Sequence, residues 1–115
     1  MSVFQSVEGD RELPAEVTLA FYRIAQEALN NVIKHAEATR VDISLLDQPD
    51  RVELHIRDDG RGFDPQLIPD GHLGISIMAE RAKKIGGDLQ IQSKPGRGTE
   101  VSLTWRDPTE KESHD

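Results

Sequence analysis

Glu27, Asn31, Lys34 and His35 put a carboxylate, an amide, an ammonium and an imidazole within one short stretch of chain. Read at helical spacing, Asn31 and His35 fall inside the apolar stripe of Val17, Phe21, Ile24, Ala28 and Val32, and Glu27 and Lys34 lie together on its edge. Polar groups on a core-facing stripe must find partners, either one another or a ligand. A hydrogen-bonded Asn31 and a Glu27–Lys34 ion pair would satisfy them as well. Asp58 is the second feature. It shares strand parity with Val52, Leu54 and Ile56, so its carboxylate is aimed at the core side, and Gly60 and Gly62 follow at once, a backbone suited to close approach of a ligand. A plain Asp-Gly turn is the competing explanation, although a turn Asp normally faces solvent. A calcium loop is disfavoured, because the acidic alternation and the distal Glu are missing. Third, His72-Leu73-Gly74 opens a helix and offers free amides of the kind that bind phosphate; a loop glycine at a helix start would explain it too. Fourth, Thr99 in Pro95-Gly96-Arg97-Gly98-Thr99 shares parity with Val101, Leu103 and Trp105 and turns a hydroxyl inward, which a hairpin turn alone does not account for.

The elements that must position these groups are legible from period and punctuation. Ser2 to Val7 alternates as a first strand, and Pro14 opens a long helix as a first-turn proline, its stripe running to about Ala36. Val41, Ile43, Leu45 and then Val52, Leu54, Ile56 alternate about the turn Gln48-Pro49-Asp50, which predicts an antiparallel hairpin with one buried face. Asp58 to Gly74 reads as a loop, long for so small a domain, with glycines at 60, 62, 71 and 74 and prolines at 65 and 69. Ile75, Met78, Ala82 and Ile85 mark a second helix stopped by Gly86-Gly87. Leu89 and Ile91 mark a further strand, and Thr99 to Trp105 the last. About five strands, the clear ones half-buried, and two helices make an α/β fold, a two-layer sandwich with one sheet face under both helices. His55, of outward parity, reads as a solvated sheet-face residue, and Lys83-Lys84 as the wet face of the second helix.

Length and charge set the outer bounds. The chain has 115 residues, enough for one domain with a real core. It has no cysteine, which excludes disulfides, thiolate metal sites and Cys nucleophiles and fits a reducing compartment. The apolar runs are too short to cross a bilayer, and Met1 to Gln5 shows no signal-peptide pattern. The net charge of −7 disfavours nucleic acid. It sits largely at the ends: residues 1–12 carry −2, residues 107–115 carry −3, and the body 13–106 only −2. The charge therefore does not count against an anionic ligand. Residues 1–106 are read as the domain and 107–115, without a large apolar side chain, as a disordered tail.

Taken in order, the four constellations resemble the GHKL ATPase superfamily. Glu27-x-x-x-Asn31-x-x-Lys34-His35-Ala36 is similar to its N box, and Asp58-x-Gly60-x-Gly62-Phe63 to its first glycine box. Gly71-His72-x-Gly74 with Met78-x-Glu80-Arg81-Ala82 resembles the second, and Gly96-x-Gly98-Thr99 the third. The likeness spans roughly Leu13 to Trp105. The wording of the N box and of Met78 to Ala82 is similar to sensor histidine kinases of the nitrate-sensor and desaturase-sensor type. The resemblance implies a Bergerat fold, a mixed and largely antiparallel sheet packed on helices, with an ATP lid at about 63–74. It implies ATP and Mg²⁺ as cofactors. Asp58 would accept from the adenine amino group, with Gly60 and Gly62 passing close to the base and Thr99 supporting it directly or through water. Asn31 would ligate the metal, and Glu27 would orient or deprotonate the acceptor or hold a metal-bound water. Lys34 and His35 would meet the phosphates, and the amides of His72, Leu73 and Gly74 would cradle them.

The same resemblance implies a helical dimerisation domain carrying the phosphoacceptor histidine, and a response regulator downstream. None of His35, His55, His72 and His114 stands on a helix before the N box, where that family places its acceptor. The chain is therefore expected to be an excised catalytic domain, cytoplasmic and without direct membrane contact, that binds Mg-ATP but does not phosphorylate itself. The alternative is a free-standing GHKL serine protein kinase that doubles as an anti-sigma factor, which fits the length but not the N-box wording. A non-catalytic interaction module is disfavoured, since every ligand-type residue is present.

Overall fold

In the computed structural model, which describes residues 2–9, 12–64, 66 and 74–108, five strands form one sheet and two helices cover one of its faces. The strands are β1 (Ser2–Glu8), β2 (Arg40–Asp47), β3 (Arg51–Asp58), β4 (Asp88–Ser93) and β5 (Thr99–Arg106), and the helices α1 (Ala15–Asn31) and α2 (Ile75–Lys84). Strand order is β1-β2-β3-β5-β4. The β1–β2 pair is parallel and the other three are antiparallel, so the sheet is mixed and largely antiparallel, as expected. The parallel pair is possible because α1 supplies the long crossover that such pairing needs.

Alternation along the strands builds the core. Val41, Val52, Leu54, Ile56, Val101, Leu103 and Trp105 all point to the helical side and are buried. They meet Val17, Phe21, Ile24, Ala28 and Val32 of the first helical segment, and Met78 and Ala82 of α2. The opposite sheet face is polar. There His55 is half-buried rather than simply solvated: its Nδ1 lies 3.1 Å from Ser102 Oγ and its Nε2 2.9 Å from Glu53 Oε1. Arg51 Nε donates to the same Glu53 at 2.7 Å. Hydrogen bonds from His55, then Arg51, hold the Glu53 carboxyl below its usual range. Parity placed His55 on the right face, but its cross-strand neighbours were set by register.

The first helix departs from the expected pattern at both ends. Pro14 is the N-cap rather than a first-turn residue, and its carbonyl accepts from Val17 N and Thr18 N, both at 3.0 Å. Beyond Asn31 the chain changes to a π-helical turn, Val32–Ala36, ended by Glu37 in the left-handed region. A π turn closes i→i+5 hydrogen bonds and is wider than an α turn. The phase extrapolated from Val17 still holds at Val32, which is buried, but His35, expected inside the apolar stripe, is exposed.

Asp59 locks the junction between this turn and the sheet. Its carboxylate accepts from Thr39 N at 2.8 Å, Thr39 Oγ1 at 2.6 Å and Arg40 N at 2.9 Å. The Thr39 hydroxyl first, then the Arg40 amide, depress its pKa. A carboxyl depressed in the folded state stabilises the fold above its unfolded value, about 3.9, and loses that contribution as pH falls through the folded value. Asp59→Ala should therefore lower Tm at neutral pH, with the gap to wild type closing as pH falls below about 4; equal gaps in thermal melts at both ends of that range would contradict it.

Candidate functional site

Between α1, the end of β3 and the start of β5 lies a cavity of about 240 Å³. Its floor is apolar, from Ala28, Val32, Ile56, Ile75, Met78, Ile91 and Val101. The polar groups at its wall are few: Asn31, His35, Asp58 and Thr99, with Arg61 at the side where the 63–74 loop begins. An apolar cleft with a small set of placed polar groups is the common form of a small-molecule site.

Asp58 is the one buried charged side chain among the described residues, 6 % exposed. It stands at the end of β3, in a row of register partners that runs Val41, Asp58, Thr99, Ser93 across four strands. Gly60 N donates to its Oδ1 at 2.8 Å. Burial pushes its pKa up, and backbone hydrogen bonds from Gly60 and Thr99 partly offset this by favouring the ionised form. The result is a desolvated acceptor held by backbone donors, with lone pairs to spare.

The first and third glycine segments make this geometry by touching each other. A Cβ at Gly62 would collide with the carbonyls of Lys94 and Gly98, and one at Gly98 with the carbonyl of Asp58. Both take positive φ, +63° and +79°. Gly96 N donates to Arg61 O at 2.6 Å, and Phe63 N to Ser93 Oγ at 2.9 Å. The start of the loop is thereby seated on the β4–β5 turn, beside Thr99.

The other sequence-derived residues divide into groups. Asn31, half-buried on the last turn of α1, lines the cavity, and so does the exposed His35. Glu27 does not line it; its carboxylate packs against Gly74, the left-handed N-cap of α2, where a Cβ would overlap Glu27 Oε2. Lys34 is exposed and does not line the cavity. Gly60 is buried beneath Asp58. His72 and Leu73, and the tail beyond Pro108, lie outside the described residues. Sequence reasoning missed Ser93, although its parity with Leu89 and Ile91 signals an inward hydroxyl. Among the described residues no three of His, Asp and Glu gather as a metal cage. Asn31, at the cavity wall, carries a hard amide oxygen, the donor type that Mg²⁺ accepts when phosphates and water complete its shell.

The fold and the apolar cavity agree with an ATPase family. Residues 16–109 match the family described as histidine kinase-, DNA gyrase B-, and HSP90-like ATPase, and the chain belongs to that family. It is 37 % identical over 102 residues to the nitrate/nitrite sensor protein NarQ of Escherichia coli K12, covering 88 % of this chain and 18 % of that protein. It is 33 % identical over 108 residues to the signal transduction histidine-protein kinase/phosphatase DegS of Brevibacillus brevis, covering 94 % of this chain and 28 % of that one. The chain thus spans less than a third of either relative. The histidine kinase domain of the Erythrobacter litoralis EL346 blue-light activated histidine kinase has the same fold, with a TM-score of 0.76 at 21 % identity, over 90 % of this chain and 54 % of that one. No described helix is long and apolar enough to cross a membrane.

Proposed function

We propose that this chain is the Mg-ATP-binding catalytic domain of a two-component sensor histidine kinase. In the assembled protein it would present the γ-phosphoryl group to a histidine on a helical dimerisation domain, with a response regulator downstream, on the cytoplasmic side. The observation that carries the reading is Asp58: a desolvated, backbone-held carboxylate at the wall of an apolar cavity, under the helix that carries Asn31. Family membership and the histidine-kinase relative support the same assignment.

In this reading the adenine enters over Ile56, Met78 and Val101, with its amino group donating to Asp58 and Thr99 beside it. Gly60 and Gly62 leave the base room. The phosphates then run toward Asn31 and His35, with Lys34 and the amide of Gly74 at their outer side, and His72 and Leu73 are kept as further phosphate contacts on the sequence alone. Asn31 is the residue that would hold Mg²⁺, which supplies charge neutralisation to the phosphates when bound. Glu27, backed against Gly74, would orient the accepting group. Phosphoryl transfer is mainly positioning and charge stabilisation, so a domain without the acceptor in place binds nucleotide without turning it over.

Calorimetric titration with ATP, with and without Mg²⁺, tests the reading. Binding is expected in both series and tighter with the metal; no binding in either overturns it. Asn31→Ala should remove most of the gain that Mg²⁺ brings, about tenfold in Kd, while metal-free binding changes little. Equal losses in the two series would remove Asn31 from the metal. Labelled ATP should leave His35, His55, His72 and His114 without acid-labile phosphate.

A further inference from the structure

Ser93 closes β4 and touches three groups at once. Phe63 N donates to its Oγ at 2.9 Å, its Oγ donates to Gly98 O at 3.1 Å, and its Oγ lies 2.8 Å from Thr99 Oγ1. A serine hydroxyl has one hydrogen and two acceptor lone pairs. An amide N–H can only give, so Phe63 uses one lone pair. A carbonyl can only accept, so Gly98 takes the one hydrogen. All three contacts are made at once only when the contact with Thr99 uses the second lone pair and takes its hydrogen from Thr99. The reverse direction would divert the Ser93 hydrogen from Gly98 O.

We propose that Ser93 fixes the direction of the Thr99 hydroxyl, so that Thr99 and Asp58 both face the ligand as acceptors and together select a purine with a 6-amino group over one with a 6-oxo group. This rests on the reading that the base lies against Asp58 and Thr99. The two residues are register partners on β3 and β5, and both line the cavity. A 6-amino group, or a water that itself donates, meets such a pair with hydrogens. A 6-oxo group sets a third acceptor against two and leaves buried lone pairs unpaired, the kind of mismatch that discriminates strongly. Ser93 is a positioning residue in this scheme. It acts through Thr99 and also through Phe63, and the two routes make different predictions.

The test is calorimetric titration of the whole 115-residue chain with ADP and with IDP. Wild type is expected to prefer ADP. Ser93→Ala frees the Thr99 hydroxyl to turn and donate to a 6-oxo group, so the ADP:IDP affinity ratio should narrow by about fivefold. Ser93→Cys, of similar volume but a weak acceptor, should narrow it likewise and serves if the alanine variant folds poorly. Ser93→Thr repeats the hydroxyl and should restore the wild-type ratio. In a Thr99→Val background, Ser93→Ala should leave the ratio unchanged. Equal weakening of both nucleotides in Ser93→Ala, or the same narrowing without the Thr99 hydroxyl, overturns the proposal and assigns Ser93 to the Phe63 contact alone. A wild-type chain that binds neither nucleotide, or binds both alike, overturns the adenine-site reading itself.

Discussion

Asp58→Asn is expected to weaken ATP or ADP binding by about 2–4 kcal/mol, roughly 30- to 1,000-fold in Kd. The change is nearly isosteric, but it can put an NH₂ donor where the ligand's own amino group needs an acceptor, at a residue only 6 % exposed. The amide oxygen can still accept from Gly60 N, so the turn after β3 is retained. Circular dichroism and a thermal melt without nucleotide read the fold independently of the affinity. Unchanged affinity in calorimetry would remove Asp58 from the base. The wild-type pH profile carries a second mark. Burial raises the folded-state pKa of Asp58, so in the free domain ionisation costs stability as pH rises from the ordinary carboxylate value through the raised one. Nucleotide binding needs the ionised form and should weaken as pH falls through that raised value. In Asp58→Asn this dependence should vanish.

Gly98→Ala should be the most damaging single change to the fold. Gly98 is buried with φ +79°, and a Cβ there would overlap the Asp58 carbonyl and crowd Asp59 Cα at 3.2 Å. Each of those atoms is backbone in or beside β3, so relief requires moving a central strand. A cost of about 3 kcal/mol or more is expected, a fall in Tm of roughly 10–20 °C, together with loss of nucleotide binding as Asp58 shifts. Gly96→Ala is the control. It has a similar φ of +80° but nothing within 4 Å of its Cβ, so it bears only the left-handed cost, about 1–2 kcal/mol. If the two variants melt together, backbone strain rather than close approach explains Gly98.

Much of the site was legible because strand parity is a local property. Counting by twos from Val52 reaches Asp58, and from Trp105 reaches Thr99, without knowledge of the partner strand. The helical stripe from Val17 to Ala28 was equally readable, since each position follows the last by a fixed rotation. The reading failed where that rotation changed. Val32 to Ala36 takes a π turn, where Lys34 and His35 are exposed, although His35 still lines the cavity beside Asn31 and Val32. The anchoring role of Asp59 is invisible to a local reading, because its partners are Thr39, just before β2, and Arg40, the first residue of β2.

What the sequence determined by itself was which faces exist: an α/β sandwich, a helix with polar groups along a buried stripe, and strands ending in an inward carboxylate and an inward hydroxyl. Only the tertiary structure decided which of those groups share a row. Val41, Asp58, Thr99 and Ser93 come from four strands, and their alignment is a matter of register between segments far apart in the chain. The parallel docking of β1 on β2, the contact of Gly62 with the Lys94 and Gly98 carbonyls, and the seating of Phe63 on Ser93 have the same origin. Period and punctuation are written along the chain, whereas register and close approach arise only when the core packs and fixes one strand against the next.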